Sequence, residues 1–111
     1  MLSTSQAALL RSISLGDEAA LSSGTHLSAT LDGRTRALVQ LAALIVRDAA
    51  LPGYQRAVQS ALDHGATLDE ILSLLVVLAQ PAGSTAVITA APKLAMALGY
   101  DVDASLEALG T

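Results

Sequence analysis

Around residue 65 the sequence closes one helix and opens another within three residues, and this punctuation constrains the fold more than any other feature. Val58, Ala61 and Leu62 fall on one face at helical spacing, and Gly65 follows them. Glycine accepts the left-handed backbone with which helices commonly end. Thr67 and Glu70 then form a capping box, in which the threonine hydroxyl accepts from the backbone three residues on and the glutamate reaches back. Residues 68–79 read as a long apolar helix that Pro81 brings to a stop.

The same kind of signal recurs on both sides. Asp32 suits the cap of a helix starting near Gly33. Residues 37–46 are apolar except for Gln40, the pattern of a buried helix, and Arg47 and Asp48 mark its wet end. Pro52 fits the first turn of the next helix. Residues 83–98 read as a further helix capped by Gly99, in which Pro92 predicts a kink or break near Ala90 and Ala91. Residues 103–109 form a short last helix. Toward the N-terminus, residues 5–12 and 16–22 read as short helices and residues 22–25 as a loop. No stretch alternates apolar and polar residues with the β-branched enrichment of a strand. The expected fold is all-α: a bundle of about six to seven helices around a buried central helix near residues 33–47, forming one domain over residues 1–111.

Composition adds what must fill and cover such a bundle. Hydrophobic residues make up 52% of the chain but aromatics only 2%, with no Phe or Trp, so Ala, Leu, Val and Ile supply the core. Charged residues are 14%, well below the roughly 25% of soluble domains. Burying part of the apolar surface between copies solves the shortage, so a homo-oligomer is expected. Six basic residues are scattered against ten acidic ones, for a net charge of −4, which disfavours nucleic-acid binding. The absence of cysteine excludes disulfides and thiol catalysis by this chain alone. No apolar run approaches the roughly 18 residues of a membrane helix. The N-terminus has no basic region ahead of its apolar part, so a cytoplasmic protein with no membrane partner is expected.

Three stretches between residues 31 and 98 resemble the carboxymuconolactone decarboxylase and alkylhydroperoxidase-like (AhpD-like) family. The first is Leu31-Asp32-Gly33-Arg34-Thr35-Arg36-Ala37-Leu38, similar to the family's "LD-x-[KR]-T-R-E-L". The second runs from Ala57 through Ala61-Leu62, Gly65-Ala66-Thr67 and Glu70-Ile71, like "H-[VL]-x-x-A-L-x-x-G-A-[ST]-x-[ED]-E-[IV]". The third is Pro81-Ala82-Gly83 ahead of an apolar helix, where the family has "Y-x-G". The matched core would be residues 31–98, with residues 1–30 as a helical extension.

The resemblance implies a fold of the alkylhydroperoxidase type and assembly into trimers or hexamers. It also implies four reactive positions in the peroxidase branch: a Glu, two Cys and a His. Those positions hold Ala37, Ala50, Gly53 and Ala57 here. The decarboxylase branch dispenses with the cysteines but generally keeps the His, so Ala57 departs from it as well. Thiol peroxidase activity is therefore expected to be absent. A family member stripped of its catalytic groups, acting as an oligomeric binder of small molecules or as a scaffold, is the expected function. The alternative is a cofactor-free decarboxylase or isomerase acting on a small lactone or carboxylic acid.

Few residues remain for such chemistry. His64 is a candidate acid or base, although a position just before Gly65 also suits a cation at a helix end. His26 lies in a polar stretch, and two distant histidines give no zinc spacing, so neither a metal nor a cofactor is expected. Tyr54 and Arg56 flank the substituted positions and have the chemistry to bind a carboxylate or enolate. Gln40 shares a helix face with Ala37 and is the candidate polar group of a pocket, or else a satisfied amide in a core or interface. Arg34 and Arg36 read as residues that fix a helix start. Asp69 and Glu70 suit a helix N-terminus.

Overall fold

A computed structural model describes residues 1–100 and 102–110 of the chain. Among the described residues every regular element is helical: α1 (Thr4–Ser14), α2 (Glu18–Ser23), α3 (Thr25–Ser28), α4 (Gly33–Val46), α5 (Leu51–Asp63), α6 (Leu68–Ala82), α7 (Ser84–Ala97) and α8 (Val102–Gly110). The all-α expectation holds. The chain forms two compact units, Met1–Asp32 and Gly33–Thr111.

The first unit is a set of short helices held by their own caps. Ser3 and Gln6 form a capping box on α1, and Asp17 caps α2 by accepting from the Ala19 N–H. The loop expected at residues 22–25 is instead mostly helical, and His26 lies on the single-turn helix α3 rather than in a polar loop. The reason is local. The Thr25 and Ser28 hydroxyls donate to the carbonyls of Ser22 and Thr25, and His26 Nδ1 lies 3.1 Å from the Ser23 carbonyl. Side chains that bond to carbonyls three residues back carry the chain through a helical turn.

The second unit holds the core. Ala37, Leu41 and Ile45, at four-residue spacing, form the buried stripe of α4. They pack with Tyr54, Val58 and Ala61 of α5, Ile71 of α6, and Ala90 and Leu94 of α7. Helices α4, α5, α6 and α7 all touch one another, and only Ala37, Leu41 and Ile45 of α4 are buried, so α4 is one wall of the core and not the buried centre expected. Its opposite side, with Val39 and Val46, is open to solvent in the single chain.

The stop-and-start around residue 65 forms as the residues dictate. Gly65 adopts φ 91°. Its N–H donates to the Leu62 carbonyl at 3.0 Å, and the Ala66 N–H donates to Ala61 at 2.9 Å, the paired bonds of a Schellman end. Ala61 and Ala66 are both buried. Thr67 Oγ1 then accepts from the Glu70 N–H at 3.1 Å, and Glu70 Oε1 accepts from the Thr67 N–H at 2.9 Å. Arg34 of α4 adds an ion pair to Glu70 at 2.8 Å. The hydrogen bond from the Thr67 backbone, followed by the Arg34 charge, holds the Glu70 carboxyl below its usual range despite some desolvation. A carboxylate whose pKa is depressed by folding contributes stability above its unfolded value and loses that contribution as pH falls. Acid titration followed by circular dichroism should therefore show wild-type stability falling below about pH 4.5, with a shallower fall for Glu70→Gln.

Two prolines depart from expectation. Helix α6 runs through Pro81 to Ala82 and ends at Gly83, whose φ is 91°. Helix α7 runs unbroken through Pro92. A mid-helix proline leaves the carbonyl four residues earlier without its donor. Those carbonyls belong to Val77 and Ile88, both exposed residues in the single chain.

The connection from α4 to α5 is tight. Asp48 takes the left-handed conformation at φ 54°. The Asp48 and Ala49 N–H groups donate to the carbonyls of Ile45 and Leu44. Lys93 of α7 clamps this turn, with Nζ 2.6 Å from the Asp48 carboxylate and 3.1 Å from the Ala49 carbonyl. No helix among the described residues is long and apolar enough to cross a membrane.

Candidate functional site

The four positions that the resemblance sets against reactive groups have different surroundings. Ala37 is buried in the core on α4. Ala50 is exposed at the N-cap of α5, where it makes no side-chain cap bond. Gly53 is half-buried on the first turn of α5, and a Cβ there would meet Ala49 and Leu44 only at ordinary contact distances of 3.9 and 4.0 Å. Ala57 is half-buried and packs against the core cluster. None of these residues can carry a proton or attack a substrate.

Tyr54 sits between them in sequence but belongs to the core. It is 0% exposed, and its hydroxyl donates to the Leu44 carbonyl at 3.2 Å. Burial raises its pKa above the ordinary tyrosine value, and the nearby Asp48 charge raises it further. A phenol so placed is neutral and already bonded. Arg56, two residues on, is exposed. The packing places Tyr54 in the core and Arg56 on the surface.

Gln40 and His64, by contrast, come together. With Gly33, Arg36, Ala37 and Ser60 they line a depression of about 210 Å³ between the start of α4 and the end of α5. Gln40 is exposed rather than a core amide, because it lies off the Ala37–Leu41–Ile45 stripe. His64 caps the end of α5, and its Nδ1 is 2.7 Å from the Ser60 carbonyl. A carbonyl only accepts, so Nδ1 carries the hydrogen and Nε2 is the acceptor of the neutral ring.

Gly33 makes room for that ring. A Cβ at residue 33 would stand 2.5 Å from His64 Cδ2, closer than atoms can approach. Gly33→Ala should therefore push the imidazole off its seat and weaken the Nδ1 bond to Ser60. Helix stability should change little, because alanine gains about 1 kcal/mol over glycine in a helix and offsets the clash. Imidazole proton shifts in NMR, read beside the unfolding midpoint, check this. An unmoved His64 signal would show that the ring was not seated on Gly33.

Sequence reasoning gave Arg36 a purely structural part and did not single out Ser60 or Gly33. The available signal was periodicity. Gly33, Arg36 and Gln40 are spaced by three and four residues, as are Ser60 and His64 by four, so each set shares a helix face. That the two faces oppose one another is a fact of packing.

His26, the other histidine, lies in the first unit beside a groove of about 360 Å³ that also includes Leu9, Asp17, Ala20 and Leu27. Among the described residues no group of three His, Cys, Asp or Glu is placed to hold a metal ion.

The α4–α5 depression gathers a guanidinium, an amide, a hydroxyl and an imidazole, which suits it to hold and orient a polar group. No curated protein and no solved structure matches the chain. The sequence model of the carboxymuconolactone decarboxylase family matches residues 17–95, from the turn before α2 almost to the end of α7. That span covers well over half of the sequence, and it includes the capping box, the Gly65 helix end and the α4 stripe: the chain belongs to the carboxymuconolactone decarboxylase family.

Proposed function

We propose that this protein is a self-associating family member that has lost the inherited acid–base and thiol chemistry and acts as a binder of small molecules or as a scaffold. The observation that carries the reading is the simultaneous occupation of the four reactive positions by Ala37, Ala50, Gly53 and Ala57. Alanine methyls and a bare glycine leave neither a proton carrier nor a nucleophile there. One domain spanning the chain is part of the proposal, and the family match supports it by running across the boundary between the two compact units.

Self-association is supported by the apolar residues that the single chain leaves uncovered. On α6, Leu72, Val76 and Val77 are exposed at spacings of four and five residues, and Val76 is 79% exposed. Val39 and Val46 are exposed on α4, and Ile88 on α7. Exposed apolar side chains that gather into a large patch are uncommon on a monomer. Family resemblance makes a trimer or hexamer the preferred state.

Sizing by light scattering at low micromolar concentration tests the proposal. The expected mass is a multiple of the chain's 11.2 kDa, and Val76→Asp should shift it toward one chain. A clean monomer for the wild type would overturn the self-associating part. Hydroperoxide turnover by metal-free protein would overturn the loss of peroxidase chemistry.

A second reading, a cofactor-free decarboxylase or isomerase of a small lactone or carboxylic acid, is favoured by one observation. His64 and Gln40 share a depression with Arg36. Binding and orientation alone can accelerate a reactive substrate. Lactone decarboxylation that persists in Tyr54→Phe but disappears in His64→Ala would support it over the first.

A further inference from the structure

We propose that the depression between the start of α4 and the end of α5 binds one oxyanion group of a small molecule, a carboxylate or a phosphate, with Arg36 and His64 as its principal contacts. The inference rests on the small-molecule-binding part of the proposed function and names the site and the chemistry of its ligand.

The polarity of the lining is the first argument. The chain has ten acidic residues and a net charge of −4. The six residues that line this depression include none of the acids, only Arg36, Gln40, Ser60 and His64 over Gly33 and Ala37. Each of the four polar side chains can donate a hydrogen bond, His64 when protonated. Arg36 only donates, and Gln40, Ser60 and His64 can each accept as well; with no carboxylate in the lining, the guanidinium favours a group that only accepts.

Availability is the second. The two ion pairs among the described residues use Arg34 with Glu70 and Lys93 with Asp48. Arg36 belongs to neither, and its planar fork matches the paired oxygens of a carboxylate or phosphate. The Ser60 carbonyl holds His64 through Nδ1, which leaves Nε2 as the nitrogen for a ligand.

Space is the third. About 210 Å³ accommodates an oxyanion and a few further atoms, and Gly33 keeps the floor open where any side chain would meet the imidazole. The depression includes Ala37 but not Ala50, Gly53 or Ala57, so it does not depend on restoring the missing groups.

The test is a titration of the full-length, 15N-labelled protein with sodium acetate and, separately, inorganic phosphate, at ionic strength held constant with chloride. Saturable shifts are expected for the amides of residues 33–40 and 60–64 and the Gln40 side chain with at least one anion. Response to acetate alone identifies a carboxylate site, and response to phosphate alone a phosphate site. Arg36→Gln should weaken binding about tenfold, the loss of a charge-assisted bidentate contact, and His64→Ala should weaken it as well. Arg56→Gln, which removes an equal charge outside the depression, should leave affinity unchanged. Flat titrations with both anions would overturn the proposal, as would equal losses in the Arg36 and Arg56 variants, which would mean nonspecific attraction. If the titrations are flat while sizing still gives an oligomer, this site falls and self-association stands.

Discussion

Truncating Tyr54 to alanine is expected to cost about 3–5 kcal/mol of stability, a large share of the roughly 5–15 kcal/mol that holds a domain together. The chain has two tyrosines and no other aromatic residue. Tyr100 is exposed, so Tyr54 is the single aromatic ring in the core. Its neighbours Leu41, Ile45 and Val58 are smaller and held on helices, and they would not collapse into the space it leaves. Tyr54→Phe keeps the ring and removes only the bond to Leu44. The Leu44 carbonyl also accepts from the Ala49 N–H at 3.1 Å, so it retains a partner and the loss should be about 1 kcal/mol. Urea unfolding of the two variants beside the wild type measures both numbers, and similar losses for both would place the stabilisation in the hydroxyl instead of the ring. Alkaline titration gives an independent check. A phenol whose pKa is raised by folding contributes stability that is fully present below the unfolded value and is lost as pH rises. Stability should therefore decline above about pH 10 in the wild type, and less so in Tyr54→Phe.

Helix α4 should respond to alanine substitution in opposite ways on its two sides. Leu41 is 0% exposed in the middle of the core stripe, and Leu41→Ala is expected to cost about 2–5 kcal/mol. Val39, two residues earlier, is 55% exposed, and Val39→Ala should stay within about 0.5 kcal/mol in the folding of the chain itself. If the open side of α4 is covered in an assembly, the valine variant should lower the assembled mass without changing the urea midpoint of dilute protein. Equal destabilisation by the two variants would mean that α4 is buried all round within one chain.

The contrast on α4 shows where sequence reading ran out. The capping box at Thr67 and Glu70, the glycine end at residue 65 and the proline in the first turn of α5 were legible because their chemistry is local. Each is complete within five or six residues. The run of apolar residues at 37–46 fixed a helix but not how much of it the rest of the chain covers. Pro81 does not stop α6 at once and Pro92 does not break α7, for a related reason. A proline interrupts a helix less when the carbonyl it frees faces water, and which side faces water is decided by packing. Helix α3 was missed because its three side-chain bonds to carbonyls look like a polar loop in sequence. The family was legible by resemblance. The depression was not, because Gln40 and His64 lie on different helices and only the pairing of α4 with α5 sets them face to face.

The Asp48 turn also decides how α4 and α5 can move. Residues 47–50 are all that separates the two helices, both central amides are tied back to α4, and Lys93 staples the turn from α7. That end has no slack. The hairpin is thus pinned at both ends, at Asp48 by Lys93 of α7 and near Gly33 by the ion pair of Arg34 with Glu70 of α6.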